Sequence, residues 1–150
     1  MKVINQLKME FPSLPENVAF ARVAVASFAS QLDFTIHDIE EIKVAVSEAV
    51  ANAIVHGYGN SRGGLIRVCL KLTDEALEIQ VEDHGKGIED VKKALEPTYS
   101  TDPERMGLGF VFMQAFMDYL HVDSAPGKGT RVTMVKNVPR GAAAAASEKH

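Results

Sequence analysis

From Ile39 to Ala53 the apolar residues recur at helical spacing: Ile39, Ile42, Val46, Ala49, Val50 and Ala53 fall on one stripe. That is the pattern of a helix laid against a core. Thr35-Ile36-His37-Asp38 has the spacing of a capping box at its start. His56-Gly57-Tyr58-Gly59 supplies a glycine stop at its end. A helix with one apolar stripe needs a second layer to bury it, so the remaining elements must provide that layer.

They read as follows. Val3, Leu7, Met9 and Phe11 share one parity and Lys2, Gln6, Lys8 and Glu10 the other, which predicts a strand with one buried face. Ser13-Leu14-Pro15-Glu16 has capping-box spacing and opens a helix from about Leu14 to Gln31, with Val18, Ala21, Val25, Phe28 and Leu32 on its stripe. After the Asn60–Gly64 turn, Leu65 to Leu72 and Leu77 to Val81 form a hairpin. A short helix near Asp90–Leu95 follows, then a polar segment from Pro97 to Arg105. A helix from Gly107 carries Phe110, Met113, Phe116 and Met117, and strands at Tyr119–Asp123 and Arg131–Val135 close the pattern. This order predicts an α+β fold, a two-layer sandwich whose antiparallel or mixed sheet is covered on one face by helices.

The chain has 150 residues, a length that fits one domain with its own core. The pattern ends at Asn137, and the alanine-rich stretch at 138–150 is expected to be a flexible tail or an expression remnant. A net charge of −4 with interspersed signs weighs against direct nucleic-acid binding. No apolar run approaches a membrane span, and the first residues lack a signal-peptide core. The single cysteine, Cys69, is read as a small buried hydrophobe rather than a reactive thiol. The cytoplasm is the expected location.

Three features carry chemistry. Glu48, Asn52 and His56 lie four apart and form a polar ridge, with Glu48 nearly opposite the core stripe. Most such ridges only face solvent, but asparagine is a poor helix former, and the alanines at 45, 49, 51 and 53 would let something approach the backbone closely. Asp83-His84-Gly85-Lys86-Gly87 follows a strand, where the glycines permit close approach and the carboxylate can accept a hydrogen bond from an amino group such as that of adenine. Gly107-Leu108-Gly109 opens a helix, a place that attracts phosphate, and Arg105 precedes it. Each glycine pair alone is equally a plain turn. There is no Walker-type phosphate loop.

Taken in order, with Gly129-Thr130 as a fourth piece, these motifs resemble the asparagine and glycine boxes of the GHKL (Bergerat) ATPase and kinase superfamily. Phe20-Ala21-Arg22-Val23 and the run from Glu41 to Tyr58 resemble the bacterial anti-sigma-factor serine kinases, above all the sporulation members directed at sigma F. The resemblance covers roughly residues 5 to 137. It departs in the lid, residues 97–106, which is shorter than the family pattern.

The resemblance implies an ATP/ADP and Mg²⁺ site. Glu48 matches the catalytic base and Asn52 the Mg²⁺ ligand. Asp83 matches the adenine reader, with Gly85 and Gly87 shaping the pocket and Thr130 helping to hold the base. Gly107 and Gly109 lie under the phosphates, and Arg105 near the terminal one. Arg22 matches a partner-contact arginine. The implied activity is phosphorylation of a serine on an anti-anti-sigma protein of the STAS fold, by a homodimer that also sequesters its sigma factor. A general-stress anti-sigma kinase, a histidine-kinase ATPase module, and a module that senses ATP against ADP without phosphotransfer are the alternatives.

Overall fold

The computed structural model describes residues 2–96 and 106–139. In chain order the elements are β1 (Val3–Pro12), α1 (Glu16–Ala29), α2 (Ile36–Asn52), a π-helical turn (Ala53–Gly57), β2 (Leu65–Thr73), β3 (Ala76–Asp83), α3 (Val91–Ala94), α4 (Met106–Phe116), β4 (Tyr119–Ser124) and β5 (Thr130–Asn137). The strands form one sheet in the order β1-β2-β3-β5-β4. All four pairings are antiparallel, so the mixed option falls away.

Alternation along the strands divides the sheet into two faces. Ile66, Val68, Leu70 and Leu72 of β2, Leu77, Ile79 and Val81 of β3, and Val132 and Met134 of β5 are buried towards the helices. Burying a Val or Ile side chain contributes roughly 1.5–3 kcal/mol, so these rows and the α2 stripe hold the two layers together. In α2, Ile42, Val46, Ala49 and Val50 are buried as the spacing predicts. Cys69, by contrast, is only half-buried and sits on the open face between Lys8 and Gln80, not in the core.

The capping box at Thr35 forms: its hydroxyl takes the Asp38 N–H, and the Asp38 carboxylate takes the Thr35 N–H. The one at Ser13 does not. Pro15 holds the N-cap position of α1 without a side-chain bond. The buried Ser13 hydroxyl instead donates to the Ser61 carbonyl and accepts from the Gly64 N–H. A tertiary partner 48 residues away has outcompeted the local one.

β1 also departs from its alternation. Phe11 is buried and Met9 partly so, but Val3 and Leu7 are exposed. β1 is an edge strand, paired on one side only, and its outer apolar residues have no strand beyond them.

Lys136 is buried, an unusual place for a lysine. Its ammonium donates to Glu41 of α2 at 2.8 Å and to the Phe116 carbonyl at the end of α4. This fixes the C-terminal end of α4 against both layers. No helix among the described residues is long and apolar enough to cross a membrane.

Candidate functional site

The first turn of α4 lies directly over α2. A Cβ added at Gly109 would come within 3.0 Å of Glu48 Oε2 and 3.1 Å of Asn52 Nδ2. Glycine at this position lets the two helices approach that closely. The group that approaches Glu48 and Asn52 here is α4 itself. Ala45 and Ala49 of α2 are buried. Glu48 is consequently half-buried rather than fully solvated, and burial raises its carboxyl above the ordinary glutamate range.

Asn52 ends the regular α-helix, and the chain continues in the π-helical turn. Such turns are rare and often mark functional sites. Among the described residues, Asn52 Nδ2 is the buried side-chain polar atom that lacks a hydrogen-bond partner. Leaving a buried polar group unpaired costs about 1–3 kcal/mol, so a structure that keeps one is arranged for something else to satisfy it. The amide can be turned to offer either oxygen or nitrogen, since the two are assigned from the network.

At the other end of the cavity stands Asp83, the last residue of β3, only 5% exposed. Burial raises its pKa, opposed chiefly by the hydrogen bond it receives from the Gly85 N–H. Gly85 N donates to Asp83 Oδ1 at 2.9 Å, which folds the loop back over the carboxylate. The loop then presses on the π turn. A Cβ at Gly85 would lie 2.0 Å from the Gly57 carbonyl, and Lys86 N–H donates to that carbonyl at 2.9 Å. Gly87 continues the loop at a φ of 77°.

Thr130 stands opposite Asp83 in the β3–β5 register. Its hydroxyl shares a 2.8 Å hydrogen bond with that of Ser124. Ser124 also accepts from the Ile88 N–H at 2.8 Å, so β4 braces the loop. Asn52, His56, Gly57, Asp83, Phe110 and Thr130 all line one cavity of about 20 Å³. That is room for about one water.

The structure thus brings together Glu48, Asn52, Asp83, Gly85, Gly87, Gly109 and Thr130 around one place. Gly107 is the second residue of α4. Arg105 and the rest of the lid up to residue 105 lie outside the described residues. Arg22 lies elsewhere, on α1, where its Nε donates to the Ser47 hydroxyl at 3.0 Å. It is half-buried rather than freely solvated, and it abuts the residue before Glu48. Sequence reasoning passed over Tyr58 and Ser124. Their bonds run to backbone groups distant in sequence, and no local pattern signals those.

Among the described residues no three His, Cys, Asp or Glu side chains cluster to hold a metal ion. Mg²⁺ commonly takes one or two protein ligands and fills its shell with water and phosphate oxygens. The unpartnered amide of Asn52 suits that role, so the donor set fits Mg²⁺ accompanied by a nucleotide.

Residues 11–136 match the family described as the histidine kinase-like ATPase domain. An anti-sigma F factor of Clostridium acetobutylicum is 50% identical over 134 residues, covering 88% of this chain and 93% of that protein. One from Caldanaerobacter subterraneus subsp. tengcongensis is 49% identical over 142 residues, covering 93% of this chain and 99% of that protein. Among solved structures, the RsbU and RsbW domains of a Mycobacterium tuberculosis protein superpose with a TM-score of 0.63 at 21% identity, over 90% of this chain and 33% of that one. The histidine kinase domain of a blue-light activated kinase from Erythrobacter litoralis gives 0.54 at 19% identity, over 85% of this chain and 62% of that one. These two structures speak for the fold, which is the GHKL two-layer sandwich. The chain belongs to the histidine kinase-like ATPase domain family and, within it, to the family of the anti-sigma F factors.

Proposed function

We propose that the chain is an ATP-dependent protein-serine kinase that also binds and inhibits a sigma factor, sporulation sigma F, and that its phosphoacceptor is a small anti-anti-sigma protein of the STAS fold. The observation that carries the kinase reading is that Asn52 and Asp83 line one cavity, with the Asn52 Nδ2 unpartnered and Glu48 beside Asn52 under Gly109. The relatives named anti-sigma F factor support the sigma-binding half.

In this reading Asp83 accepts a hydrogen bond from the adenine amino group, and Thr130 helps hold the base. Gly85 and Gly87 keep the backbone close to it. Gly107 and Gly109 underlie the phosphates at the positive end of α4, and Arg105 approaches the terminal phosphate. Asn52 would hold Mg²⁺ through one neutral oxygen, and the ion would supply charge neutralisation to the phosphates.

Glu48 accepts the proton of the incoming serine hydroxyl. The serine oxygen bonds to the terminal phosphorus as the bond to the bridging oxygen breaks, and ADP leaves. A carboxyl raised by burial is a stronger base than an exposed one once ionised, which suits this task. The cavity of about 20 Å³ is smaller than a nucleotide, so its walls must part to admit one.

In this reading Arg22 meets the protein partner, and the exposed Phe20 and Val23 beside it on α1 support that. The exposed apolar residues of β1, Val3 and Leu7, suit a homodimer contact. Residues 1–137 form the kinase domain, 138–150 an appended tail, and the protein works in the cytoplasm.

The test is incubation with labelled ATP, Mg²⁺ and a STAS-fold partner, with mass spectrometry of the modified site. Phosphoserine on the partner is the expected result. Label on a histidine, or on no protein, would overturn the reading in favour of a histidine-kinase module or a nucleotide sensor.

A further inference from the structure

The hydroxyl of Tyr58 stands where a backbone rung belongs. Ile66 pairs with Asp83 across β2 and β3, so the next rung of that ladder would join Leu65 to His84. On the other side of β2, the Ser13 N–H donates to the Gly64 carbonyl, which points the Gly64 backbone groups at β1. Alternation in an antiparallel strand then points those of Leu65 at β3. The register stops at Asp83, however. The His84 N–H donates to the Tyr58 hydroxyl at 2.7 Å, and that hydroxyl donates to the Leu65 carbonyl at 2.5 Å. Two hydrogen bonds in series replace one.

We propose that Tyr58 is a positioning residue for the nucleobase end of the pocket: its hydroxyl, inserted as a rung between Leu65 and His84, holds β2 and β3 apart and so sets where the Asp83–Gly87 loop lies and which base it accepts. The inference rests on the reading of this pocket as an ATP site. The π turn is what delivers the side chain. Tyr58 N–H bonds to the Ala53 carbonyl five residues back, and the ring lies against Gly64, where a Cβ would come within 2.5 Å of it. Gly57, the neighbouring residue, grips the same loop through the Lys86 N–H. Residues 57 and 58 therefore hold the loop on both sides of Gly85. Asp83 sits at the root of that loop, so a small change in the spacing of the strands moves the carboxylate that faces the base.

Tyr58→Phe keeps the ring and removes only the rung. Calorimetric titration of the full-length protein with Mg-ATP and with Mg-GTP, alongside thermal unfolding, tests the idea. The wild type should prefer ATP. Tyr58→Phe should lose about five- to tenfold in ATP affinity, as expected for one or two lost hydrogen bonds. GTP affinity should change little, so that the preference narrows, while the melting temperature stays close to wild type. An unchanged ATP-to-GTP ratio, or an equal loss for both nucleotides, would overturn the proposal. A wild type that binds no ATP would bring down the ATP reading itself, which is a different failure. Should the variant not fold, amide exchange in the wild type reads the same bond: a protected His84 N–H supports the rung, and exchange at the rate of an open loop contradicts it.

Discussion

At the β3 end of the pocket the Asp83 carboxylate receives the Gly85 N–H, and its loop is tied to the π turn through Gly57 and Tyr58. At the α4 end Glu48 and Asn52 face Gly109, and the Asn52 amide has a buried atom with no partner. Lys136 fixes the far end of α4. In the proposed function the first end is tied down before any ligand arrives and selects the base, whereas the second end is completed by the ligand, where binding energy would order phosphate, metal and the Glu48 carboxylate together.

The largest expected effect lies at the second end. Glu48→Gln should bind ATP as the wild type does and lose about 10²- to 10⁴-fold in the rate of transfer to a STAS partner. Undiminished transfer would remove Glu48 as the base. Next is Gly85→Ala at the first end. Its Cβ would lie 2.0 Å from a backbone carbonyl, so the loop must move, at a cost of roughly 1–3 kcal/mol. Thermal unfolding should show the loss, and an unaltered melting temperature would mean the end is not rigid. Asn52→Ala should weaken Mg-dependent ATP binding about tenfold, as for a lost contact to a charged group. Equal affinities with and without Mg²⁺ in wild type and variant would end the metal role.

The smallest effect concerns pH. Burial holds the Glu48 carboxyl above its ordinary value of 4.5. Transfer should therefore fall as pH drops through a value above the usual glutamate range, with no such limb in Glu48→Gln. Stability runs the opposite way to transfer. A raised folded-state pKa means the fold favours the protonated carboxyl, a contribution present at low pH and lost as pH rises through the folded value. At neutral pH Glu48→Gln should thus unfold at the same or a slightly higher temperature.

Much of this was legible in the sequence where the cause is local. The α2 stripe and the Thr35 cap depend on neighbours within one turn, and both form as read. The order of Glu48, Asn52, Asp83, Gly109 and Thr130 predicted one site, and the fold gathers them. The failures share a cause. Ser13 has capping-box spacing, but its hydroxyl is taken by Ser61 and Gly64 across the fold. Alternation in β1 reports which residues share a face, yet says nothing of whether a neighbour covers it, and Val3 and Leu7 stay exposed. The Tyr58 rung is invisible for the same reason, since it exists only once β2 and β3 have paired.

Amide hydrogen exchange with and without Mg-ATP tests the two-ended pocket most directly. The account predicts that nucleotide slows exchange strongly in the first turn of α4 and around Glu48 to Asn52, while the amides of His84 to Lys86 are already protected and change little. Slow exchange in α4 before ATP is added, with new protection confined to the Asp83 loop, would contradict it.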